Sequence, residues 1–106
     1  MRIPNDAVIP SEKLTKYLLV PRSWDDKSQF LARAGFSLDE PEQLENAIRR
    51  LAERNEAYTD GENDYGTFYR VEGALRGPKG TLLTVTVWIQ QASDDRYRFI
   101  TLKPAR

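Results

Sequence analysis

The spacing of the apolar residues changes once along this 106-residue chain, near Tyr58. Before that point the apolar residues recur every three or four positions, which places their side chains on one face of an α-helix. After it they tend to alternate with polar residues, as in a strand with one buried face. Helices followed by strands predict an α+β fold, in which the helices pack on one face of an antiparallel sheet.

Three helices are predicted in the first half, and local signals mark the ends of the first two. The first covers about residues 11–19, with Ser11 as its cap, and it ends before Pro21 because proline disfavours a helical residue in front of it. The second begins near Trp24–Asp26, where carboxylates accept hydrogen bonds from free backbone N–H groups. Gly35 is the predicted left-handed residue that ends it.

The third helix has the clearest start. Asp39 is predicted as its cap, Pro41 fits the first turn, and Glu42 stands at the spacing of a capping box. A stripe of apolar residues follows at helical spacing and predicts the buried face; it consists of Leu44, Ala47, Ile48 and Leu51.

The second half predicts a meander of three or four antiparallel strands, over about residues 56–59, 67–76, 83–89 and 97–103. The predicted turns lie at 60–63, 77–80 and 92–95. In the turn at 77–80, Pro78 presets one backbone angle and a glycine is expected to supply a positive φ. No linker, repeat or low-complexity segment interrupts the chain, so residues 1–106 are expected to form a single domain.

The alternation in the third strand predicts which face of the sheet the helices cover. We expect Leu83, Val85, Val87 and Ile89 to point toward the helices, together with Tyr69 and Val71. The other face would then be a mixed aromatic and cationic surface. Trp and Arg dominate binding energy at protein interfaces, and the same residue types suit base stacking beside phosphate. The predicted binding surface comprises Phe68, Arg70, Thr84, Thr86, Trp88 and Arg98.

A second interpretation of this surface stays open. The C-terminal tail or the loop around Trp24 would fold over it, and Trp88 would then belong to a small second core.

The composition excludes several classes of chemistry. The chain has neither cysteine nor histidine, which excludes disulfides and thiolate metal sites and removes the usual general base. Asp60, Glu62 and Asp64 have the alternate spacing of a calcium loop, but Tyr65 stands where that loop needs glycine, so a hairpin turn is favoured. We therefore expect no metal and no cofactor.

The charge balance indicates which classes of partner are expected. Sixteen basic and sixteen acidic residues give a formal net charge of zero, which is unlike a histone-type nucleic-acid binder. The strand half nevertheless carries more bases than acids. The chain has no apolar run of membrane-spanning length and its start does not resemble a signal peptide, so we expect a cytoplasmic protein with no membrane partner.

Several short segments together resemble the bacterial family of unknown function DUF6883. They are MRIPN, KLTKYLL, KSQFLARAGF, YRVEGALRGPKG, VTVWI and RFITLKP, and they span nearly the whole chain. The resemblance implies a small bacterial accessory protein, because similar sequences occur as stand-alone proteins and at the C-terminal tips of toxin-like proteins. The family's loop before the second helix has a His-Pro-x-Gly pattern followed by Lys-Ala. Here the loop is shorter and lacks the histidine, and only Lys27 corresponds.

Three functional hypotheses follow. The first is a non-catalytic protein-interaction domain, in a toxin–antitoxin-like or phage-associated module, whose partner is the product of a neighbouring gene or a second copy. The alternative is a ribonuclease-like toxin that stabilises charge at phosphorus with arginines and moves protons with Tyr or Lys. The sheet residues available for this are Tyr69, Arg70, Tyr97, Arg98 and Lys103. A structural component is the third hypothesis, and no residue pattern supports it directly.

Overall fold

The computed structural model describes residues 1–24 and 26–105 and confirms an α+β fold in which helices precede the strands. The helices are α1 (Ser11–Lys13), which continues into a π-helical segment (Leu14–Leu18), α2 (Ser28–Ala32) and α3 (Pro41–Arg54). The strands are β1 (Ala57–Asn63), β2 (Gly66–Gly77), β3 (Gly80–Gln91) and β4 (Tyr97–Pro104). Among the described residues, no helix combines the length and apolar character needed to span a membrane.

The first helix covers nearly the predicted residues but is π-helical over Leu14–Leu18, and the second is shorter than predicted. The N–H of Leu19 donates to the carbonyl of Leu14, a bond that spans five residues and defines the wider π turn. Helix α2 begins only at Ser28, because the Asp26 carboxylate accepts from both the backbone N–H and the hydroxyl of Ser28. Asp25, part of the predicted start, lies outside the described residues. Gly35 ends the helical segment with a φ of 89°, as predicted.

Helix α3 provides the buried stripe that the sequence predicts. Leu44, Ile48 and Leu51 are fully buried, and the helix packs against β2. The predicted capping box is wrong: Glu40 is the cap residue, and no side chain caps the helix. Pro41 compensates in part, because it occupies the first turn and has no N–H group that would need an acceptor.

The four strands form an antiparallel meander in the order β1-β2-β3-β4. Strand β1 runs further than predicted, through an irregularity between Thr59 and Glu62, and the turn lies at residues 64–65 instead of 60–63. The N-terminal segment also joins the sheet: the N–H of Val8 donates to the carbonyl of Tyr97, and the N–H of Phe99 donates to the carbonyl of Val8. One edge of the sheet is thus covered by the start of the chain.

The hairpin between β2 and β3 turns at the predicted place for a different reason. Gly77 and Gly80 face each other across the turn, and neither has a positive φ. Gly77 is instead required by close packing, because a Cβ there would lie 2.3 Å from the carbonyl oxygen of Ala34. The N–H of Lys79 donates to that same carbonyl, so the hairpin is docked on the end of α2.

The prediction of which sheet face meets the helices is wrong. Trp88, Phe99, Leu102 and Val71 belong to the core shared with the helices, whereas Leu83 is 68% exposed. Tyr69 and Val71 pair with Trp88 and Thr86, so they lie on the helix side. Val87, which was predicted to share that side with them, pairs with Arg70 and lies on the other side. Val85 and Ile89 are buried on the opposite side. In the register of the sheet, Val85 lies between Glu72 and Lys103. Ile89 lies between Phe68 and Arg98.

Buried threonines explain the error. Thr84 and Thr86 occupy core positions that an alternation rule assigns to solvent. Their hydroxyls are satisfied inside the sheet, since Thr84 donates to the carbonyl of Leu82 and Thr86 to the carbonyl of Val71. A β-branched hydroxyl residue of this kind packs like valine once its hydrogen bond is made.

Candidate functional site

The structure divides the predicted binding surface between the two faces of the sheet. Thr84, Thr86 and Trp88 lie in the core under the helices, and Trp88 is only 1% exposed. The Trp88 ring packs edge-on against Phe99, with ring centroids 5.4 Å apart. The remaining three residues, Phe68, Arg70 and Arg98, have register positions on the opposite side.

These three residues belong to the face that the helices leave uncovered, which we call the outer sheet face; it is defined here by Tyr58, Phe68, Arg70, Leu83, Val87 and Arg98. One register row on this face joins Phe68, Ile89 and Arg98. The row beside it runs from Tyr58 through Arg70 and Val87 to Thr101, and so crosses all four strands. Tyr58 is 60% exposed, so the face offers aromatic, aliphatic and cationic surface together.

Arg98 has an incomplete set of hydrogen bonds. Its Nε is buried and has no acceptor among the described residues. A buried donor without an acceptor costs free energy, so Arg98 is held in this position at some cost to stability.

A cleft lies at the end of the second row, beside β4, and we call it the cationic cleft. It encloses about 290 Å³ between the π-helical segment, the loop before α2 and the last strand. Its lining consists of Lys13, Tyr17, Leu18, Arg22, Lys27, Ile100 and Thr101. Three of these side chains are cations that come from separate parts of the first 27 residues.

Hydrogen bonds and ring contacts organise the cleft. Lys27 Nζ donates to the Thr101 hydroxyl over 3.2 Å, which ties the loop to a strand 74 positions later. The Lys13 ammonium and the Arg22 guanidinium each lie over the Tyr17 ring, 5.6 Å and 5.3 Å from its centroid. The site therefore combines three cations, one aromatic ring and one hydroxyl.

The nearby carboxylate of Asp26 is engaged by the backbone of the loop and of α2. Hydrogen bonds from the hydroxyl and N–H of Ser28 hold the pKa of Asp26 below its ordinary value, and the Arg22 guanidinium contributes a smaller electrostatic effect. Asp26 thus remains ionised and fixes the geometry of the loop that carries Arg22 and Lys27.

The sheet does not bring the proposed ribonuclease residues into one constellation. Tyr69 and Tyr97 pack against the core side, with ring centroids 5.7 Å apart, and burial raises the pKa of Tyr97. Arg70 and Arg98 have register positions on the other side. Within residues 1–24 and 26–105, no three acidic side chains come close enough together to hold a metal ion.

Sequence reasoning missed the cleft because its residues are far apart in the chain. Only the family resemblance points to Lys27, and Thr101 belongs to no motif in the sequence. The one usable hint was the pairing of a tyrosine with cations four and five positions away, at Lys13 and Arg22.

Comparisons with known proteins concern the chain as a whole. Residues 3–106 match the family model described as "Domain of unknown function (DUF6883)". No curated protein matches the chain significantly. Among solved structures, one chain of a "Contact-dependent growth inhibition toxin - immunity protein complex from Klebsiella pneumoniae 342" is similar, with a TM-score of 0.64 and 20% identity. The match covers 92% of this chain and 99% of that one, so the two share a fold over nearly their full lengths.

Proposed function

We propose that this chain, which belongs to the DUF6883 family, is one component of a toxin–immunity-like pair and acts by binding a protein partner. The observation that carries the proposal is the fold likeness to a chain that is solved within a toxin–immunity protein complex. Because that likeness covers nearly the whole of both chains, it concerns the complete fold and not one shared substructure.

The outer sheet face is the contact surface in this proposal. Leu83 and Tyr58 expose apolar and aromatic area there, and Arg70 stands in the same register row as Tyr58. Interfaces are enriched in Tyr and Arg, and desolvated anchors of these types dominate the binding energy. Arg70, Arg98 and Lys103 outnumber the single acid that pairs into this side of β3, Glu72, so the partner surface is expected to be acidic.

The experiment is to co-express this chain with the product of the adjacent gene and to measure complex formation by size-exclusion chromatography and calorimetry. Arg70→Glu and Leu83→Asp change exposed side chains on the outer sheet face, so the fold should survive. Each substitution is expected to weaken the complex at least tenfold.

Lys79→Glu is the matched control, because Lys79 is exposed at the β2–β3 turn and lies away from the rows on the outer sheet face. The control should bind like the wild type. Unchanged binding in both outer-face variants would show that the partner uses another surface. Failure of the two gene products to associate at all would contradict the proposed role in a toxin–immunity-like pair.

A ribonuclease-like toxin is the second candidate, and the observation that favours it is the cationic cleft. Lysine and arginine around a small cavity are the groups that stabilise charge at phosphorus when histidine is absent. Growth arrest on expression, with cut cellular RNA, would support this candidate. Relief of arrest by Lys27→Met but not by Arg70→Ala would locate the activity in the cleft.

A further inference from the structure

We infer that a cluster of three arginines between α3 and β2 binds an acidic polypeptide segment, which in the proposed function belongs to the protein partner. The arginine cluster consists of Arg50 and Arg54 on α3 and Arg76 near the end of β2, and all three residues are exposed. None of them belongs to the set that defines the outer sheet face. The inference rests on the proposed function for the source of the segment, but the site can be tested on its own.

The arginine cluster lies beside a part of β2 that β1 does not reach. Strand β1 pairs with β2 only as far as Val71, and α3 packs against β2 as well. A narrow groove between α3 and β2 is lined by the cluster and by the apolar residues Ala47, Leu51 and Ala74. Arg50 and Arg76 also line a neighbouring cleft of about 330 Å³, whose other lining residues are Phe36, Gln43, Gly77 and Pro78. Cationic residues from the helix and from the strand thus converge on one place.

The described part of the chain does not neutralise the arginine cluster. Within residues 1–24 and 26–105, no acidic side chain forms an ion pair with any of the three arginines, and none lines the groove or the cleft. Arg49 on the same helix differs, because it pairs with Glu45 over 3.2 Å and donates to the carbonyl of Ala7 over 2.8 Å. Arg50 and Arg54 are one helical turn apart, where like charges destabilise a helix. A bound anion would relieve that repulsion.

The lining of the two cavities favours carboxylates of a polypeptide over a nucleic acid. A guanidinium group binds a planar carboxylate through two parallel hydrogen bonds. Of the described residues that line the cavities, only Phe36 is aromatic, and it is 3% exposed, so it offers no surface on which a base could stack. The formal net charge of zero is also unlike that of nucleic-acid-binding proteins, whose interfaces are strongly positive.

The groove adjoins the outer sheet face, which supports one partner for both contact areas. Ala74 lines the groove and pairs in register with Leu83, the 68% exposed residue of the outer sheet face. A partner that covers Leu83 would therefore reach the arginine cluster with the rim of its interface. Charges at the rim of an interface act mainly on the association rate and its salt dependence.

A hexaglutamate peptide is the probe for the site, and NMR of the arginine side chains is the measurement. We would titrate the full chain and follow the Nε–H signal of each arginine. The signals of the arginine cluster should shift in a saturable way and should return at about 0.5 M salt, because exposed charges are then screened. Hexalysine should leave them unchanged. Shifts of equal size at the exposed Arg96, or no shift in the cluster, would overturn the inference.

A double variant tests which arginines hold the peptide. Arg50→Gln/Arg76→Gln keeps Arg54, whose charge favours the C-terminal end of α3, and should bind hexaglutamate at least fivefold more weakly. The control Lys16→Gln/Arg96→Gln removes the same charge from exposed positions that line neither cavity, and it should bind like the wild type. An equal loss of affinity in both variants would show that only the total charge matters and would overturn the inference. Thermal melting checks that each variant is folded.

The complex with the adjacent gene's product separates this inference from the proposed function. The same double variant should lower the association rate constant and weaken its salt dependence. If it associates like the wild type while Arg70→Glu and Leu83→Asp do not, the partner uses the outer sheet face alone and the inference is wrong. If no complex forms but hexaglutamate binds at the cluster, the proposed function fails and the acidic-segment site is supported.

Two other occupants of the arginine cluster would be recognised by the same measurements. Single-stranded RNA that displaces hexaglutamate at equal charge concentration and binds more tightly would overturn the assignment to a polypeptide. The chain also carries exposed acids of its own on β1 and in the turn after it, at Asp60, Glu62 and Asp64. Sedimentation of the wild type alone therefore serves as a control. Self-association that Arg50→Gln/Arg76→Gln abolishes would make a second copy the occupant and would overturn the assignment to a different protein.

Discussion

The indole Nε1 of Trp88 donates a hydrogen bond to the hydroxyl of Thr86, 2.8 Å away and two positions earlier on the same strand. That hydroxyl in turn donates to the carbonyl of Val71 on the neighbouring strand, over 2.9 Å. Both side chains are buried under the helices, so one threonine satisfies the indole and a strand carbonyl in the core.

Thr86→Val should therefore destabilise the fold although it preserves the side-chain shape. It leaves the Trp88 N–H buried without an acceptor, which costs roughly 1–3 kcal/mol in the free energy of unfolding. Urea denaturation measures this cost. The matched control is Thr84→Val, because among the described residues the Thr84 hydroxyl bonds to the carbonyl of Leu82 and to no other side chain. Equal losses in both variants would show that the indole contact contributes nothing of its own.

Trp88→Ala should remove about 3–5 kcal/mol, because it leaves a large cavity next to Phe99. A loss of this size is a large part of the stability of a small domain, so the melting transition should broaden or vanish. Trp24→Ala is the control, since Trp24 is exposed and its loss should change stability by less than about 0.5 kcal/mol. Circular dichroism on heating compares the two. A cooperative transition at the wild-type temperature in Trp88→Ala would be incompatible with its place in the core.

Gly77→Ala should destabilise the β2–β3 hairpin by about 1–3 kcal/mol, because the new methyl group would lie against the Ala34 carbonyl and the Phe36 ring. The matched change Gly80→Ala meets nothing closer than 3.8 Å and should be tolerated. Chemical denaturation of both variants tests the difference. If the two alanines behave alike, the docking of the hairpin on α2 is looser than the structure describes.

Acidic pH should reduce the contribution of Asp26 to the free energy of unfolding. Its pKa in the folded chain lies below the ordinary value of 3.8, so the folded state favours the carboxylate. The resulting stabilisation is fully present above the unfolded pKa and is lost as the pH falls through the lower, folded pKa. The stability gap between wild type and Asp26→Ala should therefore stay constant above about pH 5 and narrow as the pH falls below about 4. A gap that does not change with pH would mean that the carboxylate charge has no role in starting α2.

Ser28→Ala should return the Asp26 pKa toward 3.8, which NMR titration can follow.

The change of periodicity near Tyr58 was enough to predict the order of the elements, because local spacing reports secondary structure directly. It could not assign the sheet faces, since both sets of side chains in β3 are compatible with burial. Leu82 and Trp88 belong to one set and Leu83 and Ile89 to the other. Thr84 and Thr86 can lie in the core because their hydroxyls are hydrogen-bonded there, and periodicity does not reveal those partners.

The candidate site was predictable only in part. Phe68 and Arg70 fall on one face because they are two positions apart on β2, and Arg98 joins them because both Phe68 and Arg98 pair with Ile89. The cationic cleft depends on the loop before α2 meeting β4, and Lys27 and Thr101 are 74 positions apart. Contacts of that range follow from how the helices dock on the sheet, which no short motif in this chain encodes.

The N-terminal segment has a consequence for the order in which the molecule is completed. Val8 exchanges two backbone hydrogen bonds with Tyr97 and Phe99, and Ile3, Ala7 and Ile9 are buried in the same core. The first segment of this fold thus takes its backbone hydrogen-bond partners from the last strand. The meander can assemble hairpin by hairpin from neighbouring segments, but the first ten residues have a strand to pair with only when β4 is in place. Residues 1–10 therefore gain these hydrogen bonds only once β4 has joined the meander.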